Sequence, residues 1–549
     1  MNPMRFPNLL SLLIIGFVAV NYFVPFSDLD FAWQVRTGEC IVETGSLQPA
    51  ESFSYTIEGH QVPDFEWLYE VILWLLYSGF GFGGLKFLRI VLVATPLVLL
   101  AWQLRREGVR GHGIALSILT AIVALSPAWN LRPLFCTTIG LLLLTCWLHD
   151  HCTGRKPLTW WLPVIMLLWA NLHPGVIAGQ GLLLAAIAWE WLNRWLKVNQ
   201  PLNEISLRRL TLIGGAGLLA TLIGPDPLAR LQYPFRPELR HPVQRVFAEM
   251  QPLAAFIGTP PFSALLAYSV AALVLLTVVL RFRQYRLWEI ALLAGLGGLA
   301  NLAVRSLQDW LLVMMALGVP HMAVLLAQAA RTARRRPWIA FLLRLDRTCK
   351  RILFAPLLRY QPMWPALVVA GLFLVSFIPP IARSMPKQNG ADWPVAALDH
   401  IQRRNLQGRF FGPPDYGSYL GWRLGDRARI YTDTRGFFFP PLLLEDSHYL
   451  PQLGPNWQER LRRVLDEYQT DYFLLETTGP RGALWRDLQQ HIGPPLYLDQ
   501  QSVLLSADQV RQWFKQRQVE AKRPGHILPV ERSRNRRQKS DSPRRETLC

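Results

Sequence analysis

The chain has 549 residues, 51% of them hydrophobic, with 21 Trp and a formal net charge of +19. That apolar richness excludes an ordinary water-soluble globular protein and points to an integral membrane protein. The positive charge does not mark a nucleic-acid binder, because no basic stretch interleaves with aromatics on a soluble fold. Six scattered cysteines, Cys40, Cys136, Cys146, Cys152, Cys349 and Cys549, show neither CxxC spacing nor a paired extracellular framework.

The first apolar run predicts a helix over 8–26, uncleaved because "VAVNYFVPF" lacks a small-x-small site. With the N-terminus cytoplasmic, that helix delivers "SDLDFAWQVRTGE", Ser27 to Glu39, to the outer face. The next apolar stretch, "WLYEVILWLLYSGFGFGG", has the length of a span, but as a span it places Arg105, Arg106 and Arg110 outside. The positive-inside rule therefore makes it an interfacial helix rich in Trp and Tyr. Further spans are predicted at 86–103, 113–129, 133–149, 158–172, 175–192, 210–224, 263–280, 287–304, 310–329 and 363–382, about eleven in all. Each strongly basic loop then lies inside: Arg155 and Lys156, Arg194 to Arg209, Arg281 to Arg286, and the Arg331 to Arg336 cluster. "FLLRLDRTCKRILFAPLLR", 341–359, pairs leucines with cations and suits a helix lying on an anionic inner leaflet.

An odd number of spans puts the C-terminal part outside. From Asp392 the sequence turns polar and alternates helix-like stretches ("PVAALDHIQRRN", "NWQERLRRVLDEYQ", "GALWRDLQQH") with strand-like ones ("RARIYTDTR", "DYFLLET", "PLYLDQ", "SVLLSA"). The expected organisation is a transmembrane domain over 1–384, with its first outer loop at 27–85, and a small α/β domain over 385–510. A basic tail follows at 511–549, where twelve Lys or Arg against four Asp or Glu give a net +8 and predict disorder.

Polar residues collect at the outer helix ends: Asp28 and Asp30; Asp64, Glu66 and Glu70; Asn130 and Arg132; Asn171 and His173; Asn301, Arg305 and Asp309. Carboxylates facing cations at that level suit a lipid phosphate held by Arg132, His173 and Arg305 while a carboxylate takes a proton. Each residue also has a bland role. Acids straight after a span are ordinary solvated loop residues, Arg132 before Pro133 snorkels to headgroups, and His173 in "NLHPG" serves a turn. Glu66 and Glu70, one helical turn apart, hold the interfacial helix at the water boundary. His321 beside Pro320 reads as a packed histidine at a kink, and Asp433 and Arg435 in "YTDTR" as turn residues.

The opening part resembles the GT-C superfamily of membrane glycosyltransferases, in which an acidic motif follows helix 1, an amphipathic helix leads to a Gly turn, and an interfacial helix ends in an aromatic-Gly stretch. Here the matching pieces are "DLDFAWQVRTGECIVETG" and "DFEWLYEVILWLLYSGFG". The protein mannosyltransferase and aminoarabinose transferase groups are of this type, and the match is closest to a bacterial subgroup whose first loop reads D-x-D-x-W-W-H-x-x-T-G and continues through "FSYT" and "EWL". Asp28, Asp30, Trp33, Thr37, Gly38, Phe53 to Thr56 and Glu66 to Leu68 fit it, while Ala32 and Gln34 replace its Trp and His. "LRPLF", "NLHPG", the Asn301 to Arg305 turn, "DYGSYLGWRL" and "RIYTDTR" extend the likeness to about residue 506.

The resemblance implies a GT-C-like polytopic helical fold and transfer of a sugar from a polyprenyl-phosphate donor to an envelope glycan, glycolipid or protein. The place implied is the outer, periplasmic face of a bacterial inner membrane, with membrane lipid as a further partner and no nucleic acid. It also implies that the first-loop aspartate is the base or a metal ligand. Counting back from Gly45 favours Asp30, with Asp28 its partner and Arg132, His173, Arg305 and Glu66 binding substrate. An Asp-x-Asp pair also suits Mg2+ or Mn2+. Two rivals stand beside this reading. A transporter or flippase of lipid-linked glycan predicts mid-membrane ionisable residues and paired repeats; it ranks lower, because no internal repeat is found and the acids cluster at one face. A catalytically silent envelope scaffold is the other, favoured by Ala32 and Gln34.

Overall fold

The computed structural model describes residues 16, 30–47, 50–60, 64–109, 111–125, 130–197, 201–232, 246–256, 261–332, 393–436 and 438–521. The chain divides into two compact units. One is built from the long apolar helices, together with residues 435–441; the other takes most of the C-terminal part together with Ser52–Glu58. Asp28, the predicted spans at 8–26 and 363–382, the amphipathic stretch at 341–359 and the tail beyond 521 lie outside the described residues.

The first unit opens with α1, Asp30–Thr44. Its buried residues, Phe31, Ala32, Gln34, Val35, Thr37, Gly38 and Ile41, recur at helical spacing and form one inward stripe. Gly45 ends it in the left-handed region, at φ 68°, and its N–H returns to the Ile41 carbonyl at 2.9 Å. α2, Trp67–Arg106, is two helices broken at Gly81, where φ 56° and ψ −146° are open only to glycine. The break separates the Trp- and Tyr-rich stretch from the following apolar one. Gly38 seats α1 against α2, since a Cβ there would strike the carbonyl of Glu70.

Nine helices follow among the described residues: α3 (Gly111–Leu125), α4 (Leu134–Cys152), α5 (Trp161–Leu172), α6 (Val176–Leu196), α7 (Glu204–Ala220), the short α8 (Pro227–Gln232), α9 (Phe262–Leu280), α10 (Leu287–Leu302) and α11 (Leu307–Thr332). Together with the second half of α2, eight of them overlap in sequence the nine spans predicted within the described residues. Five stretches are long and apolar enough to cross a membrane: Trp67–Arg106, Leu134–Cys152, Val176–Leu196, Phe262–Leu280 and Val304–Ala329. Three shorter apolar helices accompany them, so the described residues support a polytopic membrane protein without supplying the count of eleven. Along α9, Leu265, Leu275, Leu276, Val279 and Leu280 are exposed, a face that suits lipid and not water.

The second unit is a five-stranded mixed sheet in the order β2-β1-β3-β5-β4, built from β1 (Gly408–Phe411), β2 (Ala428–Ile430), β3 (Tyr472–Glu476), β4 (Tyr497–Leu498) and β5 (Ser502–Ser506). β1 pairs in parallel with β2 and β3, and β5 pairs antiparallel with β3 and β4. Beyond β2, Ser54 forms a parallel bridge to Ile430, with Tyr55 N–H donating to the Ile430 carbonyl at 3.1 Å. The "FSYT" stretch thus extends the sheet edge, and Tyr55 Oη and Thr470 Oγ1 bond at 2.6 Å. The expectation of disorder from residue 511 is corrected as far as 521. Ala507–Ala521 is a helix, α12, whose Val510, Trp513 and Phe514 are buried, so the apolar side chains at its start order the basic residues among them.

Candidate active site

Asp30 opens α1, and Gln34, one turn later, shares its face. Glu66 is the residue before α2, placed there by Asp64, whose carboxylate accepts its backbone N–H at 2.8 Å. Arg132 stands in the turn before α4, His173 between α5 and α6, and Arg305 in the short turn between α10 and α11. All belong to the helical unit.

These five sequence-predicted residues are brought together. Arg132 Nη2 lies 3.5 Å from Asp30 Oδ2, and its other nitrogen pairs with Glu249. Glu66 is flanked on both oxygens: His173 Nε2 lies 3.5 Å from Oε1, and Gln34 Nε2 lies 3.5 Å from Oε2. Arg305 is half-buried and makes no hydrogen bond or ion pair among the described residues, yet its charge acts on Glu66, His173 and Asp309.

The electrostatics follow from burial among acids. Burial pushes the Glu66 carboxyl up to about 8, Asp64 and Asp30 add to the rise, and Arg305 opposes it. Asp64 is raised as well, chiefly by burial. His173 is held down to about 3 by burial, with the Arg305 charge second. At neutral pH the centre of the cluster therefore holds a protonated Glu66 and an uncharged imidazole, with Asp30 and Arg132 paired at its edge.

Other polar residues singled out in the sequence have partners within the protein. The Asn171 side chain accepts from Trp67 Nε1 at 2.7 Å and donates to the Leu167 and Ile223 carbonyls. Asn301 is held by Tyr268 and the Gly297 carbonyl. Asp309 accepts from Thr138 Oγ1 at 2.5 Å, and the His321 ring lies 4.1 Å from that of Tyr285. Arg435 is a buried partner of Glu51, at 2.7 Å, and its guanidinium lies over the Trp33 ring.

Sequence reasoning missed Glu249 and Thr137. Glu249 sits in a 3-10 turn among irregular residues, with no periodic signal beside it. Thr137, inside an apolar helix, reads as one more small buried side chain.

No group of three His, Cys, Asp or Glu side chains among the described residues is arranged to hold a metal ion. Asp30 faces a guanidinium, which competes with a cation for its oxygens. Asp28, the other half of the expected Asp-x-Asp pair, lies outside the described residues.

The sequence matches no protein-family model and no curated protein. Among solved structures the chain is similar to the oligosaccharyltransferase of Archaeoglobus fulgidus, tethered with an acceptor peptide containing the NVT sequon. The TM-score is 0.52 at 9% identity, over 85% of this chain and 69% of that one. It is also similar to ArnT from Cupriavidus metallidurans bound to undecaprenyl phosphate, with a TM-score of 0.49 at 14% identity, over 90% of this chain and 97% of that one. The likeness is one of fold: the chain is a polytopic membrane protein whose fold is similar to that of the Archaeoglobus fulgidus enzyme.

Proposed function

We propose that the protein is an inverting glycosyltransferase that moves a sugar from a polyprenyl-phosphate donor to an envelope acceptor at the outer face of the bacterial inner membrane. The observation that carries this reading is the half-buried Arg305 guanidinium, which has no hydrogen bond or ion pair among the described residues and whose charge acts on Glu66 and His173, the pair 3.5 Å apart. A guanidinium is always charged, and its planar fork matches two phosphate oxygens. Burying it without a protein partner is costly unless a ligand supplies the anion.

In this reading the acceptor oxygen attacks the anomeric carbon while Asp30 accepts its proton. The bond from that carbon to the phosphate oxygen breaks, and its electron pair leaves with the lipid phosphate. Arg305, Arg132 and the His173 N–H receive the growing charge, and protonated Glu66 adds no repulsion to it. Arg132, 3.5 Å from Asp30, orients the carboxylate that takes the proton. Asp28 belongs to this reading as the second acid of the same loop.

The test is transfer by membranes carrying Asp30→Asn at unchanged protein level. Transfer is expected to fall about 100-fold or more, the usual weight of a general base. Full transfer by this variant overturns the assignment.

A further inference from the structure

The imidazole of His173 is held very unequally at its two nitrogens. Nδ1 lies 2.7 Å from Thr137 Oγ1 and 3.0 Å from the backbone nitrogen of Gly175. A backbone N–H only donates, so Nδ1 accepts, and the ring proton must be on Nε2. The indole N–H of Trp169 donates to Thr137 Oγ1 at 3.1 Å, which leaves the threonine hydroxyl its own proton to give to Nδ1. The chain of donors therefore runs from Trp169 through Thr137 to His173, with Gly175 joining from the side.

Its parts are packed so that they cannot drift. Gly140 on α4 and Gly179 on α6 both abut the Trp169 ring, and a Cβ at either would collide with it. A Cβ on Gly175 would meet Thr137 Oγ1 and His173 Nδ1. The "NLHPG" stretch thus has a specific purpose: its glycine brings an amide to the ring without displacing the threonine.

Nε2 is different. Among the described residues its one polar contact is with Glu66 at 3.5 Å, at the outer limit of a hydrogen bond and far looser than the pair at Nδ1. We propose that His173 is an uncharged, single-donor ligand for a phosphate oxygen, with Thr137 and the Gly175 amide as positioning groups that keep its proton on Nε2. The ring is anchored on one side and offers its proton on the other, where a phosphate oxygen replaces the loose Glu66 contact. The charged and titratable groups facing the ring are Glu66 and Arg305, and burial together with Arg305 keeps it from taking a second proton across the working pH range. An imidazolium beside Arg305 would repel it. A neutral donor leaves the guanidinium free to share the same anion.

The inference rests on the phosphate-binding reading of the site, and its test separates the two. The full-length protein, labelled with 15N at histidine, is examined between pH 5.5 and 8, with the His173 signals identified by their loss in His173→Gln. One nitrogen is expected to carry a proton and the other none throughout. Addition of undecaprenyl phosphate should shift the protonated nitrogen and leave the bare one in place. A second proton within that range, a proton on Nδ1, or a ring indifferent to a bound lipid phosphate overturns the inference while the functional reading stands. A response to inorganic phosphate with no binding of undecaprenyl phosphate keeps the oxyanion ligand and overturns the lipid donor; no binding of either overturns both.

Thr137→Val is expected to weaken undecaprenyl phosphate binding about fivefold, the usual weight of one hydrogen bond, and Thr137→Ser to restore it to within about twofold. Equal affinities for the Val variant and the parent protein, or a Ser variant as weak as the Val one, refute the positioning role.

Discussion

At the scale of single residues, Glu66 and Arg305 carry the sharpest expectations. Glu66 is raised from 4.5 to about 8 in the folded protein, so its neutral form favours folding. That contribution is fully present below the unfolded value and is lost as pH rises through about 8. Glu66→Gln copies the protonated form. Its thermal midpoint should match the parent at pH 5 and exceed it by about 2 °C or more at pH 8.5. Equal pH dependence for the two proteins removes the claim that Glu66 holds a proton. Arg305→Ala should weaken undecaprenyl phosphate binding about tenfold or more, with Arg305→Lys recovering part of it, because a lysine returns the charge without the fork. Unchanged affinity in the Ala variant contradicts Arg305 as the phosphate grip. These two residues, with Asp30, Arg132 and His173, were legible in the sequence because ionisable side chains stand out at the ends of apolar helices. Thr137 was not: one hydroxyl in an apolar helix gives no pattern, and its meaning depends on a tryptophan 32 positions away.

The helices were legible where periodicity or apolar length was long, and the misses have local causes. β1, "GRFF", offers four residues and too short a run for an alternation to show. The helix Pro414–Leu424 contains Gly417 and Gly421, which lower helical propensity. Gly417 is there because a Cβ would strike the carbonyl of Thr432, a tertiary demand invisible from neighbouring letters. α12 was hidden in a strongly basic stretch, although Val510, Trp513 and Phe514 supply a buried face. The contact of α1 with α2 yields a prediction at this scale. Gly38→Leu puts a branched side chain where only a hydrogen fits, which should destabilise the protein by about 1–3 kcal/mol. The shift should also move Asp30 and Gln34 on the same helix. Reduced recovery of folded protein, together with weakened transfer in what remains, is the expected result. Normal stability for Gly38→Leu removes close helix approach as the reason for the glycine.

Across the whole molecule, the charge pattern makes an orientation testable. Reporters at Lys156 and Arg283 should read cytoplasmic, and one at Gly479 in the second unit periplasmic, because the Arg- and Lys-rich loops stay inside. A cytoplasmic reading at Gly479 means an odd number of spans is wrong. The second unit also has an unusual assembly in time. Ser54 Oγ donates to the Tyr431 carbonyl at 3.2 Å across 377 positions of sequence, so an edge of the C-terminal sheet is made near the start of synthesis and its partner only 377 residues later. At about 5–20 residues per second, that edge waits roughly 20–75 s for the strand it will join. During this interval Phe53 to Thr56 has no β2 to bridge to. A chain stalled before residue 428 lacks β2, and with it the partner of this edge.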